Sequence, residues 1–165
     1  MIDWGWVIDN RAMIGDLLWQ HARMVLLALL FGSLLTGGLL AITLRWPATA
    51  QPLITLCGVL FTIPSLALFI LLLPFTGLSL TTSLIGLTLY SLLILLRNML
   101  AGIEKLPQAA LESARALGYT RGFRFFDIEL WLLLPSLFAG LRIASVTLVG
   151  LVTVTALIGQ GGLGQ

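Results

Sequence analysis

Few side chains in this sequence could do chemistry, and they are scattered along the chain. It has one histidine, His21, one cysteine, Cys57, and one lysine, Lys105. A zinc site needs a full set of Cys, His or carboxylate ligands, and no carboxylate lies in the apolar stretches that would have to complete one. His21 also lacks a neighbouring nucleophile motif, so the sequence predicts a packing histidine rather than a catalytic pair. We therefore expect no metal centre.

Nucleotide binding is not expected either. The chain contains no G-x-x-x-x-G-K-[ST] motif, which cradles the phosphates of ATP in P-loop proteins. The stretch Gly159–Gly164 has the spacing G-x-G-x-x-G, but it follows an apolar helix instead of a strand. It predicts a flexible turn. The sequence thus predicts a protein that is not an enzyme and carries no cofactor of its own.

Polar chemistry is concentrated between residues 104 and 129. Each charge at a bilayer centre costs roughly 2.5–3.5 kcal/mol, so this segment is predicted to lie outside the membrane. Pro107 fits a first helical turn, Gly118 fits the position after a helix end, and Thr120 could cap a second short helix. The segment holds eight of the sixteen acidic and basic residues: Glu104, Lys105, Glu112, Arg115, Arg121, Arg124, Asp127 and Glu129.

Two interpretations of this segment remain open. In the first it is a rigid knob that docks on a partner, with Ala110, Ala114 and Leu117 as a small-residue stripe and Phe123, Phe125 and Phe126 rooting it in the membrane domain. In the second it is a solvated connector in which Glu112 and Arg115 form an ordinary i,i+3 ion pair.

The elements that would position this segment are membrane helices. Hydrophobic residues make up 59% of the chain and charged residues 10%, against about 45–50% and 25% in soluble domains. The stretch from Trp46 to Leu96 holds no charged side chain. The predicted fold is an all-α, polytopic helical membrane protein, since a span needs about 20 apolar residues. Its four spans are Met24–Leu44, Leu53–Leu73, Leu78–Leu96 and one within Ser136–Ile158.

The basic residues predict the orientation. With the N-terminus outside, seven Lys and Arg residues fall on the cytoplasmic side and only Arg11 and Arg23 outside. The segment 104–129 is then cytoplasmic. The net charge of +2 is a signal of orientation, and we expect no nucleic-acid partner. Residues 1–23 are predicted to be an interfacial segment on the membrane, or else a packing helix, ahead of a transmembrane domain at 24–165.

Pro64 lies near the middle of the second span. Proline there removes a backbone hydrogen bond and kinks the helix. A kink would let Thr62 and Ser65 face a translocation path, or it would serve packing alone, because both occur in membrane helices. The spans hold no Asp, Glu or His relay of the kind that proton-coupled carriers use. The energy for transport would then come from outside the chain.

The segment 104–129 resembles the EAA loop of ABC-transporter permease subunits. That pattern is Glu-Ala-Ala, three residues, Gly, nine residues, then Ile-x-Leu-Pro, and here Glu112, Ser113 and Ala114 precede Gly118 and Ile128-Glu129-Leu130. Ser113 stands at an Ala position and Trp131 at the Pro position. Stretches such as "IPSLALFILLLP", "AGLRIASV" and "ALIGQGGLG" are similar to the osmoprotectant (glycine betaine, carnitine or choline) branch.

The resemblance implies a type I importer fold with a fifth span after the Gly-rich end, in a bacterial-type plasma (inner) membrane. It implies that Glu112, Ser113, Ala114 and Gly118 contact a cytoplasmic ATPase subunit, which holds ATP and Mg. It further implies an extracytoplasmic substrate-binding protein that supplies selectivity, and a second permease copy or homologue within the lipid membrane. The alternatives are a permease for another small polar solute such as an amino acid, a non-transporting scaffold, an autonomous channel, and an intramembrane enzyme.

Overall fold

The computed structural model describes residues 4–164, and all of its regular elements are helical. Two 3₁₀ turns, at Pro47–Thr49 and Ala156–Ile158, and a π-helical turn at Phe125–Glu129 complete the set. The α-helices are α1 (Trp4–Asp9), α2 (Arg11–Arg45), α3 (Ala50–Thr62), α4 (Ser65–Thr76), α5 (Leu80–Glu104), α6 (Gln108–Ala116), α7 (Arg121–Arg124) and α8 (Leu130–Thr155).

Three stretches are long and apolar enough to cross a membrane. They are α2, α5 and the continuous stretch Arg121–Ile158. The 35 residues of α2 extend about 52 Å at 1.5 Å per residue, well beyond a hydrocarbon core of about 30 Å. The helix continues without a break through residue 23, where the interfacial segment was predicted to end. Residues 1–3 of that segment lie outside the described residues, and its interfacial role stays a prediction.

Two buried clusters give the directions of the long helices. One cluster joins Met24 of α2 to Leu87 of α5 and Leu148 of α8. The other joins Leu40 of α2 to Met99 of α5 and Leu133 of α8. Because α2 and α5 pass through both layers in the same order, they are parallel, and α8 runs in the opposite direction. The chain between α2 and α5 must therefore cross back.

That return crossing is made by α3 and α4, which are bent by 96° at their junction. Cys57 of α3 packs with Leu92 and Leu96 of α5, and Phe69 of α4 joins the layer of Leu87. The structure thus has three long spans, and the four predicted crossings when the bent pair is counted as the second. The second is two helices rather than one kinked helix over Leu53–Leu73, because Ile63 and Pro64 are both extended (ψ 126° and 135°). The fifth span stays a prediction.

The helix α5 is the centre of the bundle. Over its most apolar stretch 56% of the residues are buried, against 28% for α2 and for Arg121–Ile158. Glycines permit this close packing: Gly86 lies against the ring of Phe69, and a Cβ on Gly102 would come within 2.5 Å of the Ser136 Oγ. Small residues at such contacts are typical of helices packed in lipid.

The fourth crossing begins earlier than the sequence predicts. The short helix expected after Thr120 is not separate, because α7 continues through the π-helical turn directly into α8. Span four is therefore the outer part of one helical stretch from Arg121 to Ile158. This continuity holds the second half of the polar segment rigidly on the membrane domain.

Candidate functional site

The first half of the polar segment is a short helix with a well-defined end. Helix α6 begins after Pro107, which has an extended backbone (φ −64°, ψ 115°). It ends at Ala116, and Gly118 follows with a φ of +82°, the left-handed conformation that glycine adopts without strain. The Gly118 N–H donates to the Arg115 carbonyl (3.0 Å) and the Tyr119 N–H donates to the Ala114 carbonyl (3.1 Å). These two bonds form a Schellman motif, so the end of α6 has a fixed geometry.

One face of α6 anchors it to the bundle. Leu111 is 9% exposed and Ala114 is 2% exposed, and Leu111 belongs to the buried cluster that holds Leu40 and Leu133. The predicted stripe of Ala110, Ala114 and Leu117 is wrong as one outward face, since Leu117 is 77% exposed while Ala114 points inward. Leu111 is the larger apolar side chain, and Ala114 lies three residues later on the face that Leu111 buries.

The opposite face of α6 is open. Glu112, Ser113, Arg115 and Gly118 are all exposed. The ion pair expected between Glu112 and Arg115 is absent, because the one ion pair in residues 4–164 joins Arg124 to Glu129. The Ser113 hydroxyl donates to the Ala109 carbonyl (2.8 Å). Three of the four predicted coupling residues therefore lie at the surface, and the fourth, Ala114, lies beneath them. Their coupling role stays a prediction.

The second half of the segment is fixed by local polar contacts. The Thr120 Oγ1 accepts from the Phe123 N–H (3.4 Å), which is the predicted cap. The Tyr119 hydroxyl donates to the Asp127 carboxylate (3.1 Å), and this bond together with the carboxylate charge raises the pKa of Tyr119. Arg124 pairs with the buried Glu129 at 2.5 Å.

The three phenylalanines of this segment do not act together. Phe125 packs against the buried cluster around Leu133. Phe123 and Phe126 are 63% and 67% exposed, so the expectation that all three root the segment in the membrane domain is wrong for these two. The π-helical turn places consecutive rings in different directions, with Phe125 and Phe126 edge to face.

The predicted path residues lie at the break between α3 and α4, away from α6. Thr62 is exposed and its hydroxyl donates to the Val59 carbonyl (2.7 Å). Pro64 is exposed and Ser65 half-buried. The carbonyl of Ile63, which the break removes from the helical pattern, accepts a hydrogen bond from the Tyr90 hydroxyl on α5. Whether these three residues line a path stays a prediction.

Sequence reasoning missed Tyr90, Leu111 and the Arg124–Glu129 pair. A lone tyrosine in an apolar span signals a hydroxyl that needs a partner, but the partner lies 27 residues away. Leu111 could have been found as the one large apolar side chain of α6. His21, in contrast, is a buried packing residue: its Nδ1 accepts from the Leu163 N–H and its Nε2 faces the Val149 carbonyl at 3.1 Å.

The sequence of the chain is similar to those of known proteins. The profile of the family described as "Binding-protein-dependent transport system inner membrane component" matches residues 33–165. The chain belongs to this family. The permease is 34% identical to the "Osmoprotectant import permease protein OsmW" of Salmonella typhimurium, over 96% of the chain and 76% of that protein. It is 32% identical to the "Choline transport system permease protein OpuBB" of Bacillus subtilis, over 92% and 71%.

A solved structure gives the fold. A chain of the inward-facing MetNI methionine ABC transporter superposes on the permease with a TM-score of 0.81 at 23% identity, covering 95% of this chain and 79% of that one. This establishes the type I ABC importer fold that the EAA-like segment predicted. The permease is thus a membrane subunit of an ABC importer, a family of transport components rather than of enzymes.

Proposed function

We propose that this permease imports quaternary-ammonium osmoprotectants such as glycine betaine, choline or carnitine, and that a separate cytoplasmic ATPase drives it through the open face of α6. ATP and Mg would be held by that ATPase. The observation that carries the coupling proposal is the two-sided character of α6: Leu111 and Ala114 are buried in the bundle, while Glu112, Ser113 and Gly118 are exposed.

The architecture of this segment suits the transmission of a force. A push on α6 reaches Leu40 of α2, Met99 of α5 and Leu133 of α8 through Leu111, because the four side chains share one cluster. Packed interiors respond to such a push as rigid bodies. Two such permeases, identical or homologous, would then change the access of the path together. The broken helix at Thr62, Pro64 and Ser65 is the proposed lining of that path.

The orientation follows from charge. Lys and Arg concentrate at the ends of α2, α5 and α6 and at the start of α7, which supports an external N-terminus and a cytoplasmic location for the polar segment 104–129, here called the coupling segment. Substrate would arrive from an extracytoplasmic binding protein on the other face of the inner membrane.

Co-purification with a candidate ABC-type ATPase subunit, co-expressed with this permease, tests the coupling face. Glu112→Arg places a positive charge in the centre of the open face, and we expect it to weaken binding by about thirtyfold or more, since disrupting a charge at a protein interface costs about 2 kcal/mol or more. Glu104→Arg is the matched control. Glu104 is equally exposed and lies at the end of α5, outside α6.

Both variants add an arginine on the same side of the membrane, so neither changes the orientation signal. If Glu104→Arg loses the ATPase as completely as Glu112→Arg, the effect is one of net charge and the α6 face is not the docking site. If neither loses it, the coupling proposal fails.

Selectivity is expected to come from the binding protein. Cages for quaternary ammonium groups are built from clustered aromatic rings, and the ring contacts in residues 4–164 are isolated pairs such as Phe61 with Tyr90. Exchanging the binding protein should therefore change which labelled solute enters cells, with glycine betaine, choline, carnitine and methionine compared. Unchanged selectivity after the exchange would place the discrimination in the permease itself.

A further inference from the structure

A large cavity lies on the coupling side of the bundle. Its volume is about 680 Å³, and it lies between α2, α5 and the beginning of the Arg121–Ile158 helix. The wall formed by α2 runs from Ser33 to Arg45, which is about 18 Å at 1.5 Å per residue. Half of the hydrocarbon core of a bilayer is about 15 Å thick. The cavity is therefore as long as one leaflet is deep.

The cavity is apolar along its length and basic at one end. Leu40, Leu44 and Leu137 line the apolar part, and Arg45 and Arg121 line the basic end. Within the described part of the chain neither arginine has a carboxylate partner, because Glu129, which also lines the cavity, is paired with Arg124. The basic end of the cavity thus carries an excess of positive charge.

The basic end lies at the level of the lipid headgroups. The guanidinium of Arg45 stacks on the ring of Trp46, 5.6 Å from its centroid, and α2 ends at Arg45. Tryptophan and arginine at the end of a membrane helix mark the boundary between hydrocarbon and headgroups. An occupant must therefore be apolar over the depth of a leaflet and negatively charged at its surface.

We propose that this cavity binds an anionic phospholipid from the leaflet on the side of the coupling segment, with an acyl chain along α2 and the phosphate at Arg45 and Arg121. Basic pockets between membrane helices bind anionic headgroups in this way. The naming of this leaflet as cytoplasmic rests on the orientation in the proposed function, while the site itself does not. An occupied site would connect α2 to the start of the fourth crossing, next to the coupling segment.

Two adjacent glycines of α2 provide a matched test. Gly37 lines the cavity and Gly38 does not, and a Cβ at either position would meet nothing within 4 Å. Leucine is also the better helix former, so Gly37→Leu and Gly38→Leu should both fold. The leucine at 37 would occupy the space of the acyl chain. Circular dichroism and size-exclusion profiles of the full chain in mild detergent would verify that the two variants match.

Native mass spectrometry of the purified permease, titrated with phosphatidylglycerol or with phosphatidylcholine of the same acyl chains, measures the binding. We expect wild type and Gly38→Leu to bind phosphatidylglycerol alike, and Gly37→Leu to bind it about tenfold or more weakly. The double variant Arg45→Gln/Arg121→Gln should lose the preference for phosphatidylglycerol over phosphatidylcholine, whereas Arg23→Gln, an exposed arginine far from the cavity, should keep it.

Equal binding of the two lipids by wild type would overturn the proposal, as would equal binding by the two glycine variants. A cavity filled by a second copy of the chain, or by the fifth span that the resemblance implies, would also overturn it; wild type would then bind no lipid there, and in the case of a second copy Gly37→Leu would change the oligomeric state. This assay involves no ATPase, so its failure is distinguishable from failure of the coupling proposal.

Discussion

Two of the breaks between helices look alike but are stabilised differently. At Ile63 and Pro64 the break between α3 and α4 lies in the apolar part of the bundle, and at Gly118 the break between α6 and α7 lies in the polar segment. Each break has a tyrosine beside it. The Tyr90 hydroxyl, on α5, donates to the carbonyl of Ile63, which follows α3. The Tyr119 hydroxyl donates to the Asp127 carboxylate within the polar segment itself.

The surroundings explain the difference. At membrane depth, backbone groups that leave a helix are tolerated where they find partners in the protein or line a water-filled cavity. The Ile63 carbonyl has a partner in the protein, the Tyr90 hydroxyl of the central helix α5. At the membrane surface the groups freed at Gly118 are satisfied locally by the Schellman motif and the Thr120 cap, and water is available to any that open.

The first break is thus a tertiary feature and the second a local one. Disrupting the first break should destabilise the whole bundle. The Tyr90–Ile63 hydrogen bond joins the return crossing to α5, the helix on which the other crossings pack. Disrupting the second break should lower only the local stability of the connection between α6 and α7. The two tyrosines and the two breaks allow this distinction to be measured.

The largest effect is expected from Tyr90→Phe. The substitution keeps the ring that packs against Phe61 at 5.4 Å and removes the donor, so the Ile63 carbonyl loses its hydrogen bond to α5. Hydrogen bonds between membrane helices contribute about 1–2 kcal/mol, and 1 kcal/mol corresponds to roughly 2–4 °C in a chain of this size. We expect the Tm in detergent to fall by about 2–8 °C and uptake of the proposed osmoprotectant substrates to fall with it.

Tyr119→Phe is the control for that prediction. It also deletes one hydroxyl and keeps a ring, here the one that lies 5.4 Å from Phe123, but its partner Asp127 is exposed to water. The Tm of this variant should match that of wild type. Equal losses of Tm from both tyrosines would contradict the division into a tertiary and a local break.

This difference also explains what the sequence could predict. The end of the first span near Leu44, the disturbance at Pro64, the glycine at 118 and the cap at Thr120 depend on local chemistry, and each was predicted, although Pro64 was expected to kink a helix that is in fact broken there. The number of crossings followed from apolar length. The bend of 96° was not predicted, because proline indicates only that a helix is disturbed, while the angle depends on how α3 and α4 pack against α5.

The coupling segment illustrates the same limit. Pro107 and Gly118 predicted the helix and its end, but not which face of α6 turns inward. That choice depends on Leu111 meeting Leu40, Met99 and Leu133, residues that lie far apart in the sequence. The cavity beside Arg45 and Arg121 is out of reach for the same reason, since its walls come from three helices.

The smallest effect is expected from Gly118→Ala, and it should appear in the rate of trypsin cleavage rather than in the Tm. A side chain at φ +82° costs about 1 kcal/mol, although nothing stands within 4 Å of the new Cβ. Arg115 and Arg121 flank this glycine, so trypsin reports its local opening. A cost of 1 kcal/mol raises the open population about fivefold, and cleavage between α6 and α7 should accelerate by that factor.

Gly122→Ala is the matched control for the cleavage assay. Gly122 lies within α7 and a Cβ there also meets open space, but its backbone is helical, so alanine should not accelerate cleavage. Tyr90→Phe should likewise leave the trypsin rate at Arg115 and Arg121 unchanged while lowering the Tm. If Gly118→Ala lowers the Tm as much as Tyr90→Phe does, the end of α6 is part of the cooperative bundle. The proposed ATPase would then act on the bundle as a whole, rather than through a rigid helix α6 that is attached to the bundle at Leu111.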